Sequence, residues 1–179
     1  MSRYFVAVDL PAPLREELLG VTVGLPGTRW VDEDALHLTL RFLGDVSGAT
    51  LRDTVTALAR IRLEPFEVQL GGIGFFPPRG EAEVLWLGVE RSAPLEHLRK
   101  LVDTSATRLG IEPDRRRWVP HVTLARLDDA PVSRLQAFAA DHALYRPAPF
   151  RVESFTLFSS QTLPTGAVYA REQVFVLRA

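Results

Sequence analysis

The tetrapeptide His37-Leu38-Thr39-Leu40 returns 84 residues later as His121-Val122-Thr123-Leu124, and no other feature constrains the fold as strongly. Side chains on a β-strand alternate between faces, so His37 and Thr39 point one way and Leu38 and Leu40 the other. Each copy reads as a strand with an apolar back and a front that carries chemistry. The flanks match too, with Arg29-Trp30-Val31 before the first copy and Arg117-Trp118-Val119 before the second. A lone strand histidine carries little weight; two in matched apolar settings predict an internal repeat in which both copies act together.

The chain of 179 residues, 46% of them hydrophobic, is long enough to bury one core shared by two halves, so residues 1–179 are expected to form a single domain. The formal net charge of −1 gives no global attraction to nucleic acid, and a polyanion site must be a local patch. Its cations are nearly all arginines, the better fork for phosphate oxygens, with Lys100 the one lysine. The absence of cysteine excludes disulfides, thiolate nucleophiles and zinc-thiolate sites. With four histidines and no His-Glu-x-x-His or acidic metal loop, no metal or cofactor is expected. No apolar run approaches the roughly 20 residues needed to cross a bilayer, so a cytoplasmic protein is expected.

Strand patterns occupy Tyr4 to Leu10, His37 to Leu43, Phe66 to Phe76, Val84 to Val89, His121 to Leu127, Phe150 to Ser160 and Val168 to Leu177. Helical periodicity covers Pro11 to about Leu25, Ala49 to Arg62 behind a Ser47 cap, Ser92 to Leu109, and a segment capped by Asp129 and running to about Tyr145. Arg29 to Ala35 reads as a polar loop. Pro77 to Gly80 and Pro164 to Gly166 read as connections between strands, and Gly71 to Gly74 as a bulged strand, since no Gly-Lys-Ser/Thr follows. His97 and His142 fall on helices away from the repeat. The order predicts an α+β fold of two pseudo-symmetric lobes of antiparallel sheet backed by helices, with a motif strand in each and a central cleft between sheets that face one another.

Two imidazoles meeting across such a cleft suit in-line displacement at phosphorus, where attacking and leaving oxygens lie opposite one another. One histidine takes a proton from the nucleophile while the other gives one to the departing oxygen; a pKa of about 6.5 leaves both forms available near neutrality. Thr39 and Thr123 can donate hydrogen bonds to non-bridging oxygens, where charge builds up. Either histidine can serve as acid or base on chemistry alone. A cyclic phosphodiester, which carries its own leaving group, is the natural substrate.

Trp30 with His37-Leu38-Thr39-Leu40-Arg41-Phe42-Leu43-Gly44-Asp45, then Val84-Leu85-Trp86-Leu87-Gly88-Val89, then Pro120-His121-Val122-Thr123-Leu124-Ala125-Arg126, closely resembles the RNA 2′,3′-cyclic phosphodiesterases, also called 2′-5′ RNA ligases, of the two-histidine phosphoesterase superfamily. The resemblance implies metal-independent hydrolysis of RNA 2′,3′-cyclic phosphate ends to 2′-phosphomonoesters, and ATP-independent 2′-5′ joining in the same site. It also implies His37 as donor to the leaving 3′ oxygen, His121 as the base that activates water, and Arg126 as a contact to terminal phosphates. RNA with a cyclic phosphate end is the expected partner, and a monomer the expected state. Strand parity places Arg41 on the face of His37, within reach of phosphate, and Arg126 on the face away from His121 unless a bulge rotates it. Arg115 to Arg117 with Trp118 are candidates to guide an RNA backbone, and Phe75, Phe76 and Tyr169 to stack on a base. Small cyclic nucleotides or 2′-5′ oligonucleotides are alternative substrates, and an RNA end-binding module with incidental activity is the alternative outside that chemistry.

Overall fold

The computed structural model describes residues 3–21, 24–77, 82–115, 117–163 and 166–179. In chain order the elements are β1 (Arg3–Asp9), α1 (Ala12–Val21), β2 (Thr28–Trp30), a 3-10 turn at Glu33–Ala35, β3 (His37–Gly44), α2 (Gly48–Leu58), β4 (Phe66–Val68), β5 (Leu70–Phe76), β6 (Val84–Val89), α3 (Ala93–Arg108), β7 (His121–Leu127), α4 (Val132–Asp141), β8 (Phe150–Val152), β9 (Ser154–Leu163) and β10 (Gly166–Val176). The repeat is a strand-helix-strand-helix unit used twice, as β1-α1-β3-α2 and as β6-α3-β7-α4.

The main sheet runs β10-β9-β1-β3-β7-β6-β5, with β2 added to β7. Its neighbours are antiparallel. Each half ends by sending a strand to the other: β5 follows α2 but pairs with β6, and β9 follows α4 but pairs with β1. The small β4-β8 sheet pairs the segments that enter this exchange. The halves meet at β3 and β7 through one pair, Leu38 with Val122. They therefore join edge to edge, which corrects the expectation of separate sheets facing across a gap.

Alternation then sorts the side chains. Leu38, Leu40, Val122 and Leu124 enter the main core with Leu14, Leu18 and Leu58 of α1 and α2, Leu98 and Val102 of α3, and Leu135 of α4. Each such aliphatic side chain taken from water contributes roughly 1.5–3 kcal/mol. The helices thereby cover one face of the strands, and the other is left for the histidines.

Both motif strands carry the same bulge. Thr39 pairs with Ala7 and Arg41 with Val6, leaving Leu40 as the extra residue; Thr123 pairs with Trp86 and Ala125 with Leu85, leaving Leu124. An extra residue resets the alternation beyond it. Arg41 is accordingly 4% exposed and Phe42 55% exposed, the reverse of what their polarity suggests. In β7 the same step buries Ala125 completely and turns Arg126 outward.

Ser47 caps α2 as expected, its hydroxyl accepting from the Thr50 amide at 3.1 Å. A bulge between Leu70 and Ile73 sits at the glycine run, with Gly72 at φ 79. Four expectations need correction. The loop from Arg29 contains β2 and the 3-10 turn; the segment from Phe66 breaks at Gln69, whose side-chain Nε2 donates to the carbonyls of Leu70 and Pro147. The first helix ends at Val21, with Gly24 already at φ 84, and Asp129 does not cap α4, since it takes φ 58 and Pro131 stands at the helix start. Residues 78–80, 116 and 164–165 of the expected connections and arginine cluster lie outside the described residues.

Candidate active site

Extending the Leu38–Val122 register by one residue each way sets His37 opposite Thr123 and Thr39 opposite His121. Directly opposed residues share a face, so all four project from the face opposite the core. That extension makes the histidines diagonal positions, which a regular sheet would space roughly 7–8 Å apart at Cβ; the one bridged pair between these strands is Leu38 with Val122. The rings are close enough for a charge on His121 to disfavour one on His37.

His37 is held by rings. Phe5 lies 4.8 Å away centre to centre, Tyr169 5.4 Å and Phe158 5.6 Å. Phe5, Ala7 and Phe158 form a small apolar cluster of their own on this side of the sheet. Burial among them pushes the His37 pKa down to about 4, against the pull of the Asp9 carboxylate and the Asp34 backbone. Asp34 is near enough to act on the ring electrostatically, yet Nδ1 is buried without a hydrogen bond of ordinary geometry. Asp9 is itself engaged: the Arg171 guanidinium donates to Oδ1 at 2.9 Å and the Thr156 hydroxyl to Oδ2 at 2.9 Å.

His121 is held by a hydrogen bond. Its Nδ1 lies 2.7 Å from the Val119 carbonyl oxygen. A carbonyl can only accept, so Nδ1 carries the hydrogen and neutral Nε2 presents its lone pair. Phe76 meets the ring edge-on at 5.3 Å and Trp86 lies 6.3 Å away. Trp86 lies flat on β5 because position 74 is glycine; a Cβ there would collide with the indole. Burial lowers the His121 pKa as well, the Val119 bond opposes that, and the nearby Arg126 charge adds to it.

The two arginines depart from simple strand alternation in opposite ways, Arg126 through the bulge that its expected role required and Arg41 against its expected place. Arg126 is on the face of His121 because the bulge at Leu124 turned it there. Arg41 is not on the face of His37. Its Nε lies 3.0 Å from Asp103 of α3, an ion pair that is not aligned as a hydrogen bond, and Nη2 donates to the Glu112 carbonyl. Arg41 thus ties β3 to α3 and to the segment leading to Trp118.

A pocket of about 350 Å³ opens beside Thr39 and His121, walled by Phe42, Phe76, Trp118 and Val119, with Arg41, Arg99, Arg117 and Asp114 contributing charge of both signs. The Trp118 indole donates to the Thr39 carbonyl at 3.2 Å, fixing this wall to the motif strand. A second hollow of about 360 Å³, near Glu67, Glu90 and Ser92, is lined by no histidine and by none of the motif residues.

His97 is exposed on α3; His142 bonds the Phe138 carbonyl at 2.8 Å and stacks on its ring. Neither joins the site. Phe75 packs on the core, while Phe76 and Tyr169 border the two histidines. The sequence did not single out Asp9, Arg171, Phe5, Phe158 or Trp86 as site residues. Asp9 had a signal, being the one charge in the apolar run Tyr4 to Leu10. Among the described residues no group of three or more His, Cys, Asp or Glu side chains is placed to hold a metal ion, and no helix is long and apolar enough to cross a membrane.

Residues 13–162 match the model of the 2′-5′ RNA ligase superfamily. A protein named RNA 2′,3′-cyclic phosphodiesterase from Methanothermobacter thermautotrophicus is 32% identical over 98% of both chains. One of the same name from Archaeoglobus fulgidus is 32% identical over 97% of this chain and 99% of its own. The crystal structure of Escherichia coli LigT complexed with 3′-AMP superposes with a TM-score of 0.80 at 29% identity, covering 99% of each chain. Two histidine-bearing strands with a shared bulge, a family match across most of the sequence and relatives aligned end to end agree: the chain belongs to the 2′-5′ RNA ligase superfamily.

Proposed function

We propose that this protein hydrolyses RNA 2′,3′-cyclic phosphate ends to 2′-phosphomonoesters, using His121 as base and His37 as acid, and needing no metal. Both relatives bear the name of that activity, and LigT was crystallised with a nucleoside monophosphate. The observation that carries the reading is the Val119 carbonyl 2.7 Å from His121 Nδ1, which leaves Nε2 free to accept a proton.

In the proposed step His121 Nε2 accepts a proton from water as its oxygen bonds to phosphorus. The bond from phosphorus to the 3′ oxygen breaks, and His37 gives that oxygen a proton. The phosphate stays on the 2′ oxygen, and hydrolysis leaves the proton count of the histidine pair exchanged, to be restored by solvent. Thr39 and Thr123 donate to the non-bridging oxygens, and Arg126 offsets their charge. Two imidazoles supply both proton transfers, so the chemistry leaves no step for a metal. A phosphodiester anion between the rings also favours protonated His37, countering the burial that depresses its pKa.

One chain supplies every group named, and residues 1–179 are proposed to act as one two-lobed monomeric unit in the cytoplasm. The test is a defined oligonucleotide ending in 2′,3′-cyclic phosphate, incubated with and without a chelator. A 2′-phosphate product at equal rates supports the reading; a 3′-phosphate product, or a rate abolished by chelation, overturns it. Because burial lowers both imidazole pKa values, the bell of kcat/KM against pH should centre below the free value of about 6.5.

A further inference from the structure

β1 alternates as the motif strands do. Val6, Val8 and Leu10 enter the main core, while Phe5 and Ala7 enter the apolar cluster on the other face. Asp9 is the next residue on that second face and the one acid of β1, and the register sets it directly opposite His37. Opposed residues of an antiparallel pair have Cβ atoms roughly 4.5–5.5 Å apart. A carboxylate therefore stands beside an imidazole otherwise surrounded by rings.

The strands beyond β1 hold that carboxylate in place. Thr156 of β9 donates its hydroxyl to Oδ2 at 2.9 Å, and Arg171 of β10 donates Nη2 to Oδ1 at 2.9 Å and Nε to Oδ2 at 3.4 Å. Thr156 is wholly buried, and the Arg171 guanidinium lies 5.7 Å from the centre of the Phe158 ring, opposite which it sits in the β9–β10 register. A line of polar groups thus crosses β3, β1, β9 and β10 on the histidine face. A staple between β1 and β10 would need an ion pair, but it would not need that pair to end opposite a histidine.

The other groups facing His37 are His121 from β7, Tyr169 from β10 and the Asp34 backbone from the 3-10 turn, while the Asp34 carboxylate acts on Arg171. Burial is the strongest influence on His37 and drives its proton off; Asp9 is the strongest that holds it on, and the charges of His121 and Arg171 side with burial.

We propose that Asp9 is a positioning residue for the reaction, a carboxylate set opposite His37 to keep the acid charged, and that Arg171 tempers it by sharing that carboxylate. An acid buried among rings would otherwise meet the substrate without its proton. Arg171, by drawing on Asp9, keeps the proton loose enough to be given. The proposal rests on the reading of His37 as the acid, and it extends the site to the edge of the sheet.

The experiment follows the imidazole Cε1–H resonances against pH by NMR in the wild type, Asp9→Asn, Arg171→Gln and Arg171→Lys, with His37→Gln to assign the signal. Asp9→Asn should bind the His37 proton about tenfold more weakly, the low end for loss of one nearby opposite charge. Arg171→Gln should bind it more tightly, and Arg171→Lys, which keeps the charge, should stay closer to the wild type. His121, whose charged neighbour is Arg126, should move far less. In parallel, kcat/KM for a 2′,3′-cyclic-phosphate-ended RNA at pH 7 should fall about tenfold in Asp9→Asn and not in Arg171→Gln. The Arg171 side chain is 43% exposed, so its variants report even if Asp9→Asn folds poorly. Titrations that shift in the same direction in Asp9→Asn and Arg171→Gln, an unmoved His37 signal, or equal losses of activity in both would reduce the pair to a staple and overturn the proposal. A wild type that titrates as expected yet cleaves no cyclic-ended RNA instead overturns the proposed function.

Discussion

Beyond the bulge, β3 continues with Arg41 and Phe42, and β7 with Ala125 and Arg126. The backbone places Arg41 and Ala125 equally deep, and Phe42 and Arg126 equally far out. One half therefore hides its charge and displays an aromatic ring; the other does the opposite. The histidines differ in the same sense. His37 is sealed among Phe5, Phe158 and Tyr169, with the Asp34 backbone near its ring but outside ordinary hydrogen-bond geometry, while His121 is oriented by one short bond to a carbonyl. A symmetric backbone has been given asymmetric chemistry, which is what a reaction with one acid and one base requires.

The largest expected difference between the halves is in stability. Asp103→Ala leaves the Arg41 guanidinium buried with a carbonyl in place of its carboxylate, and should cost roughly 3 kcal/mol, near the low end for a broken buried pair because Asp103 still reaches water. Adding Arg41→Met should recover part of that loss in urea unfolding. No loss in Asp103→Ala would mean that β3 is not held to α3 in this way.

Acid should probe the His37 half selectively. With a folded pKa of about 4 and an unfolded one of about 6.5, the unfolded chain binds the extra proton throughout that window. Stability is therefore full above about pH 6.5 and falls as pH drops towards 4, by up to about 3 kcal/mol. Urea midpoints at pH 7 and pH 4.5 should fall less in His37→Gln than in the wild type; equal falls would place the burden elsewhere.

A smaller effect should separate Arg126 from its counterpart Phe42. Losing a charged hydrogen-bond donor to phosphate is worth about 1.5–3 kcal/mol. Arg126→Ala should lower kcat/KM for a cyclic-ended RNA by roughly 10- to 100-fold at low salt. Phe42→Ala should change cyclic mononucleotide turnover far less. The reverse ranking would show that the outward position of β7 has no phosphate role.

The repeat, the helices behind the strands and the four motif side chains were legible because they obey local periodicity. The pairing of β5 with β6 was legible too, from the hairpin-like Pro77 to Gly80 between two strand patterns, but the pairing of β9 with β1 was not, since it is decided by packing far along the chain. The placement of Arg41 failed for a local reason. Alternation read across Leu40 sends Arg41 outward, and the bulge sends it in. The second copy held a clue, because Leu124-Ala125 is an apolar pair that breaks strict alternation before Arg126. In the first copy Arg41 occupies the buried place and Phe42 the exposed one, so the same geometry is disguised by residues of the wrong polarity. Asp9 and Arg171 come together only through the order β9-β1-β3 and the β9-β10 hairpin.

The central claim is that His37 and His121 act in one step on one phosphorus. It is tested most directly by kcat for a 2′,3′-cyclic-phosphate-ended RNA in His37→Ala, His121→Ala and the double variant, with folding checked by circular dichroism. Each single substitution should cost roughly 10²- to 10⁴-fold. The double variant should be little worse than the poorer single one, as for groups that work as a unit. Multiplying losses, or a single variant that keeps wild-type turnover, would contradict the account.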